Sequence, residues 1–320
     1  MKAFQYATPT SPASAHELIG SNGRYLAGGI DLLAQMKEYI AEPKILVNVK
    51  ALPGFDKIEP GEAVWSLGTN VTIAQIEDHK ALQSVFPGLQ QAAAEVGSRQ
   101  IRNVATVGGN LAQHSRCWYY RHRDVLCLKK GGDMCYARHG ENKYHSLFTG
   151  NTCISPVVSN LAIILAALDA TVTVQRGSQP VRMSIPDFYA KAWDNPIAHH
   201  SLDQSDLVLK VEVPAKQRRS AYLQASEKSM FDWALVSCAA AAKIDGAKLS
   251  QTRVVLGAIA NVPHQVPAAN QFLEGKTLDE DTANKAADLI LENAHAHSEN
   301  GYKIPLARAL IRRTLLQLKA

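Results

Sequence analysis

Two paired-glycine turns constrain this chain more than any other feature. AGGIDLL occupies residues 27–33 and TVGGNLAQ residues 106–113, so Gly28–Gly29 and Gly108–Gly109 stand eighty positions apart, each soon followed by a short polar residue and a leucine. Glycines after a strand let the backbone take positive φ and approach a ligand with no Cβ between them. A row of N–H groups in such a turn attracts phosphate. Alone, either pair reads as a tight turn without a ligand; together, two turns of matching chemistry suit a diphosphate. Neither has the GxGxxG spacing of a dinucleotide fold or the GxxxxGK[ST] of a nucleotide-triphosphate loop.

The chain has 320 residues, more than one ordinary core needs. Its 46% apolar and 20% charged content is that of a soluble globular protein. A net charge of +5 comes from scattered residues, with Arg121/Arg123 far in sequence from Arg308/Arg312/Arg313. This argues against a nucleic-acid face and leaves an acidic partner subunit or an anionic cofactor. The nearest approach to a membrane span, NLAIILAAL at 160–168, is less than half the roughly 20 residues required. MKAFQYATPT carries no apolar signal stretch, so the expected location is cytoplasmic, or periplasmic by co-export with a signal-bearing partner. No GxSxG elbow supports a hydrolase.

Apolar periodicity predicts strands at 4–6, 24–26 and 45–49 alternating with helices at 11–18 and 32–39. Beyond Pro53 the pattern restarts with a strand in VWSLG, a helix capped by Thr72 and a helix at 89–96. Residues 114–152 have no apolar period, and an irregular stretch of that length is usually functional. A buried helix at 161–168 and a strand at 171–175 follow, and after GSQP (177–180) the composition shifts to strands at 207–213, 234–244 and 252–260 and helices at 281–294 and 306–318. The expectation is an α+β chain: residues 1–176 as one domain, with subdomains of about 1–53 and 54–176 and an insert at about 114–153, then residues 177–320 as a C-terminal α+β domain.

Four of the five cysteines fall inside or at the edge of the irregular segment, spaced C-x9-C-x7-C-x17-C at Cys117, Cys127, Cys135 and Cys153. That spacing matches neither a zinc ribbon nor a c-type haem site. It leaves a [4Fe-4S] cluster, a structural zinc ion or unligated thiols. Cys238, inside ALVSCAAAA, reads as a small core residue. His199 and His200 read as loop surface. His114, His122, His139 and His145 either hydrogen-bond to cysteine sulfur or are solvated loop residues. Trp118, Tyr119 and Tyr120 shield a cluster, pack against a partner subunit, or are ordinary packing residues. Asp169 is either a helix cap or a group that orients a hydroxyl of a bound ligand.

AGGIDLL together with QIRNVATVGGNLAQ resembles the two flavin-diphosphate loops of the FAD-binding (medium) subunits of molybdenum hydroxylases, the xanthine dehydrogenase and carbon monoxide dehydrogenase family. NLAIILAALDATVTV, EKSMFDWALVSCAAAA, VVLGAIANVPHQVPAA and the terminal helix resemble the family's later blocks, so the likeness spans the chain. It implies a two-subdomain FAD-binding domain of the vanillyl-alcohol-oxidase (PCMH) type, followed by an α+β CO dehydrogenase flavoprotein C-terminal domain. It also implies that Ala27, Gly28, Gly29, Ile30 and Asp31, flanked by Leu26 and Leu32, wrap one side of the FAD diphosphate, with Thr106, Gly108, Gly109 and Asn110 on the other. Two departures stand out. Ser159–Asn160 ends VVSN where relatives often carry His-Pro-Ser-Asp, and Gln224 replaces a frequent lysine, leaving Lys228 to place a positive charge near the flavin.

One branch of the family, which includes aldehyde oxidoreductase and 4-hydroxybenzoyl-CoA reductase subunits, carries a [4Fe-4S] cluster in such an insert. The long last gap is more similar to the aldehyde oxidoreductase branch, which implies Cys117, Cys127, Cys135 and Cys153 as ligands. The resemblance thus implies an electron-transfer subunit with no catalytic acid or base of its own. It would work with a large molybdenum-cofactor subunit, a small [2Fe-2S] subunit and an external electron acceptor. An aldehyde is the first substrate class; acyl-CoA reduction and purine or other heterocycle oxidation are the alternatives within the family, and a zinc-stabilised phosphate-binding module lies outside it.

Overall fold

The computed structural model describes residues 1–319. Strands β1 (Gln5–Ala7), β2 (Gly23–Leu26) and β3 (Ile45–Asn48) form a parallel sheet in the order β1-β3-β2. Parallel neighbours need crossovers. The helices Pro12–Ile19 and Leu32–Lys37 supply them, the first opened by a capping box between Ser11 and Ser14. Ala15, Ile19, Val47, Val49 and Leu52 fill the small core beneath.

The second unit is an antiparallel sheet of β4 (Ile58–Glu59), β5 (Val64–Gly68), β6 (Thr171–Arg176), β7 (Gln179–Ser184) and β8 (Leu207–Pro214), in the order β4-β5-β8-β6-β7. This corrects the expected domain boundary at 176/177. GSQP is a tight hairpin turn in which Gly177 takes φ +58°, and β8 bonds to β5 on one side and β6 on the other. The first domain therefore runs to about residue 216, and β7 and the helix Ile185–Asp194 belong to it. The helix Asn160–Ala167 is apolar all round and buried from Leu161 to Ala167, a strut through the core rather than a surface helix.

The third unit is a meander of β9 (Arg219–Ala225), β10 (Val236–Asp245) and β11 (Lys248–Gly257), covered by the helices Pro267–Leu273, Glu280–Leu291 and Lys303–Gln317. Strand β10 is the seam of the molecule. Its alternating side chains send Ala239 and Ala241 into the first domain's core and Cys238, Ala240 and Ala242 into the second. Both of its faces are covered, which is why the run is built of small residues. Cys238 is the core residue its sequence suggested.

The irregular segment holds only three short helical turns, Trp118–Arg121, Leu128–Lys130 and Tyr136–Arg138. It lies against the C-terminal domain: Asn300 Nδ2 donates to the carbonyls of His145 and Ser146, Lys303 Nζ to those of Tyr144 and Ala258, and the Leu147 and Phe148 N–H groups to that of Ile259. Among the described residues no helix is long and apolar enough to cross a membrane.

Candidate functional site

A cavity of about 870 Å³ opens between the first unit, the sheet domain and the C-terminal meander. Ala27, Gly28, Gly29, Ile30, Asp31 and Leu32 line one wall, and Thr106, Gly109, Asn110 and Asn160 another. Gly28 comes close enough to the second turn that a Cβ there would stand 2.3 Å from the Val104 carbonyl oxygen, and Gly29 takes φ +74°. The turns are thus packed on each other, and the first cannot carry side chains at these two positions.

Matching sequence hides unequal chemistry. Among the described residues none accepts a hydrogen bond from the backbone N–H of Gly28, Gly29, Ile30, Asp31 or Leu32, which leaves five consecutive donors for an anion. In the second turn the donors are spent: Val107 on Val71, Gly108 on Thr69, Gly109 on the Thr106 hydroxyl at 3.2 Å and Asn110 on the Thr106 carbonyl. Gly108 does not reach the cavity, because it packs where a Cβ would lie 2.0 Å from Thr69 Oγ1. Gly109 does, and a methyl carbon added to it would have only Thr106 Oγ1, at 3.1 Å, within 4 Å.

Ser159 sits behind the wall rather than in it. Its hydroxyl caps Ala162 and donates at 2.6 Å to Asn110 Oδ1, which turns the Asn110 amide N–H₂ away and free to donate. Asn160 Nδ2 donates at 2.8 Å to Gln224 Oε1, so the two departures from the family pattern meet as one neutral pair. Leu26 lies under the first turn, with Cδ1 3.4 Å from a Cβ on Gly29.

Three other expectations are corrected. Asp169 is remote from the cavity: it ends its helix at φ +54°, and its carboxylate pairs with Lys216, Arg218 and Arg253 on another face. Lys228 is exposed and does not line the cavity; the same loop instead contributes Phe231, Asp232 and Trp233. His199 and His200 are not loop surface. His199 stacks on His114 with ring centroids 3.9 Å apart, and both rings, with His200, face the cavity. Burial, with His200 adding to it, lowers His114 to about 3, so the stack is neutral at ordinary pH.

Beside this cavity Cys117, Cys127, Cys135 and Cys153 line one small pocket, nearly filled by protein atoms, of about 10 Å³. Residues spread over 37 positions of irregular chain thus turn their sulfurs to one space. Cys135 donates a hydrogen bond to Cys153, which holds the Cys153 thiol below its usual range, and the nearby Lys129 favours the thiolate further. His145 Nε2 lies 3.1 Å from Cys117 Sγ, so this histidine takes the sulfur-bonding role, whereas His122 and His139 are exposed. Among the described residues no group of three or more His, Cys, Asp or Glu side chains is set to hold a single metal ion.

Sequence reasoning missed Arg116 and Arg121, which line the cavity and clamp Asp31. Burial pushes the Asp31 carboxyl up, but the two arginines outweigh it and hold it below the usual range. Its carboxylate is therefore taken up by the cysteine segment and by Gln35, and only its N–H faces an incoming anion.

Residues 2–216 match the FAD binding domain in molybdopterin dehydrogenase and residues 220–318 the CO dehydrogenase flavoprotein C-terminal domain. The chain belongs to the molybdenum hydroxylase FAD-binding subunit family. The boundary between the two matches falls where the five-stranded sheet closes. Among its relatives, the aldehyde oxidoreductase FAD-binding subunit PaoB of Escherichia coli (strain K12) is 30% identical over 100% of this chain and 99% of its own. The nicotine 6-hydroxylase medium subunit of Paenarthrobacter nicotinovorans is 23% identical over 100% and 99%. In structure the flavoprotein resembles the Cu,Mo-CO dehydrogenase (TM-score 0.78, 21% identity, 99% of this chain and 98% of that one). It also resembles quinoline 2-oxidoreductase from Pseudomonas putida 86 (TM-score 0.76, 23% identity, 99% and 98%). These likenesses confirm the two-domain fold, and the family assignment makes this an FAD-binding oxidoreductase subunit.

Proposed function

We propose that this chain is the FAD and [4Fe-4S] electron-transfer subunit of a heterotrimeric molybdenum hydroxylase that oxidises aldehydes to carboxylic acids. The convergence of four cysteines on one pocket beside the flavin cavity is the observation that carries the cluster. Four cysteines facing one space suit a cluster whose four irons each take one thiolate ligand. The aldehyde assignment is supported by the 30% identity, end to end, with an aldehyde oxidoreductase subunit.

Bound FAD supplies two-electron acceptance and one-electron release. The chain's part is to hold it. The five free N–H groups from Gly28 to Leu32 would take the diphosphate, the Asn110 amide would donate from the opposite wall, and Phe231 and Trp233 would cover the mouth. Tyr120 reaches both sites, lining the cysteine pocket while its hydroxyl meets His114 Nδ1 at 2.6 Å. The organic substrate would react on a large molybdenum subunit, with a small [2Fe-2S] subunit between, and the acceptor would approach this chain. The complex would reside in the cytoplasm, or in the periplasm if a partner carries the export signal.

Anaerobic purification of the co-expressed complex tests this. Expected are about four irons and four sulfides per chain beyond those of the small subunit, a low-temperature EPR signal on reduction, and faster turnover of aldehydes than of purines or pyridines with an artificial acceptor. Stoichiometric zinc in place of that iron, or turnover confined to N-heterocycles, would overturn the corresponding half of the proposal.

A further inference from the structure

We propose that Asp31 couples the two cofactor sites: through Arg116 and Arg121 it ties the first glycine turn to the cysteine segment, so that ligation at Cys117 raises the affinity of the turn for FAD. This rests on the reading that the turns hold FAD and the cysteines a cluster.

Among the described residues, every hydrogen bond between residues 26–38 and 113–153 ends on the Asp31 carboxylate. His114 N–H donates to Oδ2 at 2.9 Å, and Arg121 Nη2 at 2.7 Å and Arg116 Nη1 both donate to Oδ1. Gln35 Nε2, from the helix that follows the turn, donates to Oδ2 at 2.8 Å and fixes the carboxylate from the other side. The arginines hold the segment in turn. Arg121 Nε donates to the Ser115 carbonyl at 2.7 Å, both guanidinium groups donate to the His114 carbonyl, and Ser115 Oγ accepts from the Cys117 N–H at 3.2 Å.

The side chains of Asp31, Arg116 and Arg121 are only 15%, 17% and 18% exposed, so water does not substitute for these bonds cheaply. Arg116 also lies 4.5 Å from the Trp233 ring, which extends the link to the loop at the cavity mouth. The five free N–H groups and Cys117 therefore hang from one bonded unit. Fixing either end reduces the freedom of the other, and such linkage is reciprocal: a cluster that tightens FAD must be tightened by FAD to the same degree.

The test is a double-mutant cycle on the full chain, reading the FAD dissociation constant by flavin fluorescence and iron per chain. Cys135→Ser removes the cluster without altering residues 113–121 and should weaken FAD binding roughly five- to tenfold, at the low end of typical coupling. Asp31→Asn should weaken it comparably with iron still present, and the double variant should be no weaker than Asp31→Asn alone, because the link is already cut. Added FAD should slow iron loss to a chelator in wild type and not in Asp31→Asn; Arg121→Gln serves the same purpose if Asp31→Asn does not fold. An iron-loaded wild type whose FAD affinity is unchanged in Cys135→Ser overturns the coupling and leaves the cluster intact as a reading. Multiplicative losses in the double variant do the same. Wild type without iron overturns the cysteine assignment and the coupling with it.

Discussion

Replacing Gly109 with alanine separates ligand contact from folding. Gly109 lies in the short helix Val107–Leu111 with no positive φ, so alanine suits its backbone and improves helix propensity by about 1 kcal/mol. The added methyl meets only Thr106 Oγ1, at 3.1 Å, and otherwise projects into the cavity. A diphosphate seated there would be pushed back by about the length of a C–C bond, roughly 1.5 Å. That displacement breaks at least one charge-assisted hydrogen bond, each worth about 1.5–3 kcal/mol. The corresponding rise in the FAD dissociation constant is about 10- to 150-fold. Thermal melting of the flavin-free chain should meanwhile be unchanged or slightly higher. Gly28→Ala is the contrasting case, since its methyl would stand 2.3 Å from the Val104 carbonyl and should lower the melting temperature with or without flavin. Gly109→Ala protein with wild-type flavin affinity, measured by fluorescence titration, would refute the placement of the ligand against this turn.

Serine at Cys117, Cys127 or Cys153 should abolish bound iron, while Cys238→Ser, buried in β10, should leave iron and sulfide analysis at wild-type values. Burial lowers His264, which stacks on Phe148, to about 4. The unfolded chain binds its proton below about 6.5 and the folded chain does not, so stability falls as pH drops from about 6.5 towards 4. His264→Phe should flatten that limb in melting scans. Burial lowers Lys303 to about 7. Between there and about 10.4 only the unfolded chain keeps the proton, so wild-type stability should climb through this window relative to Lys303→Met. Equal pH slopes for the two proteins would count against a neutral buried lysine.

How far the sequence reached depends on the range of the interactions involved. Thr72 was legible as a cap because its hydroxyl bonds Gln75, three residues on. The cysteines were legible because clustering in sequence survived folding, although nothing in the spacing showed that the segment leans on residues 295–303. Contacts across longer separations were not legible. GSQP reads as a boundary until β8 is seen to close the sheet between β5 and β6. His199 reads as surface until His114, 85 positions earlier, stacks on it. The two glycine turns look equivalent because sequence records the missing Cβ atoms and not the acceptors, and only the fold shows that Val71, Thr69 and Thr106 have consumed the second set of donors.

That inequality explains why the turns belong to different units. The first is a bare row of donors and has little of its own to hold it in shape, so its position comes from neighbours: Val104 packed against Gly28, and Arg116 and Arg121 on Asp31. The second has its donors bonded to Thr69 and Val71, in the loop after β5, and to its own Thr106, and it serves as the rigid surface against which the first is set. Between the cavity and the cysteine pocket lies a thin wall of Tyr120, His114 and His199, with Lys129 Nζ anchored to the Ala198 carbonyl. The two histidines in that wall stay neutral because charging them would require solvation the packing excludes. A neutral aromatic layer lets the cavity and the cysteine pocket lie close with no fixed imidazolium charge between them. The same packing that makes the first turn dependent on its neighbours thus brings the two sites within reach of each other.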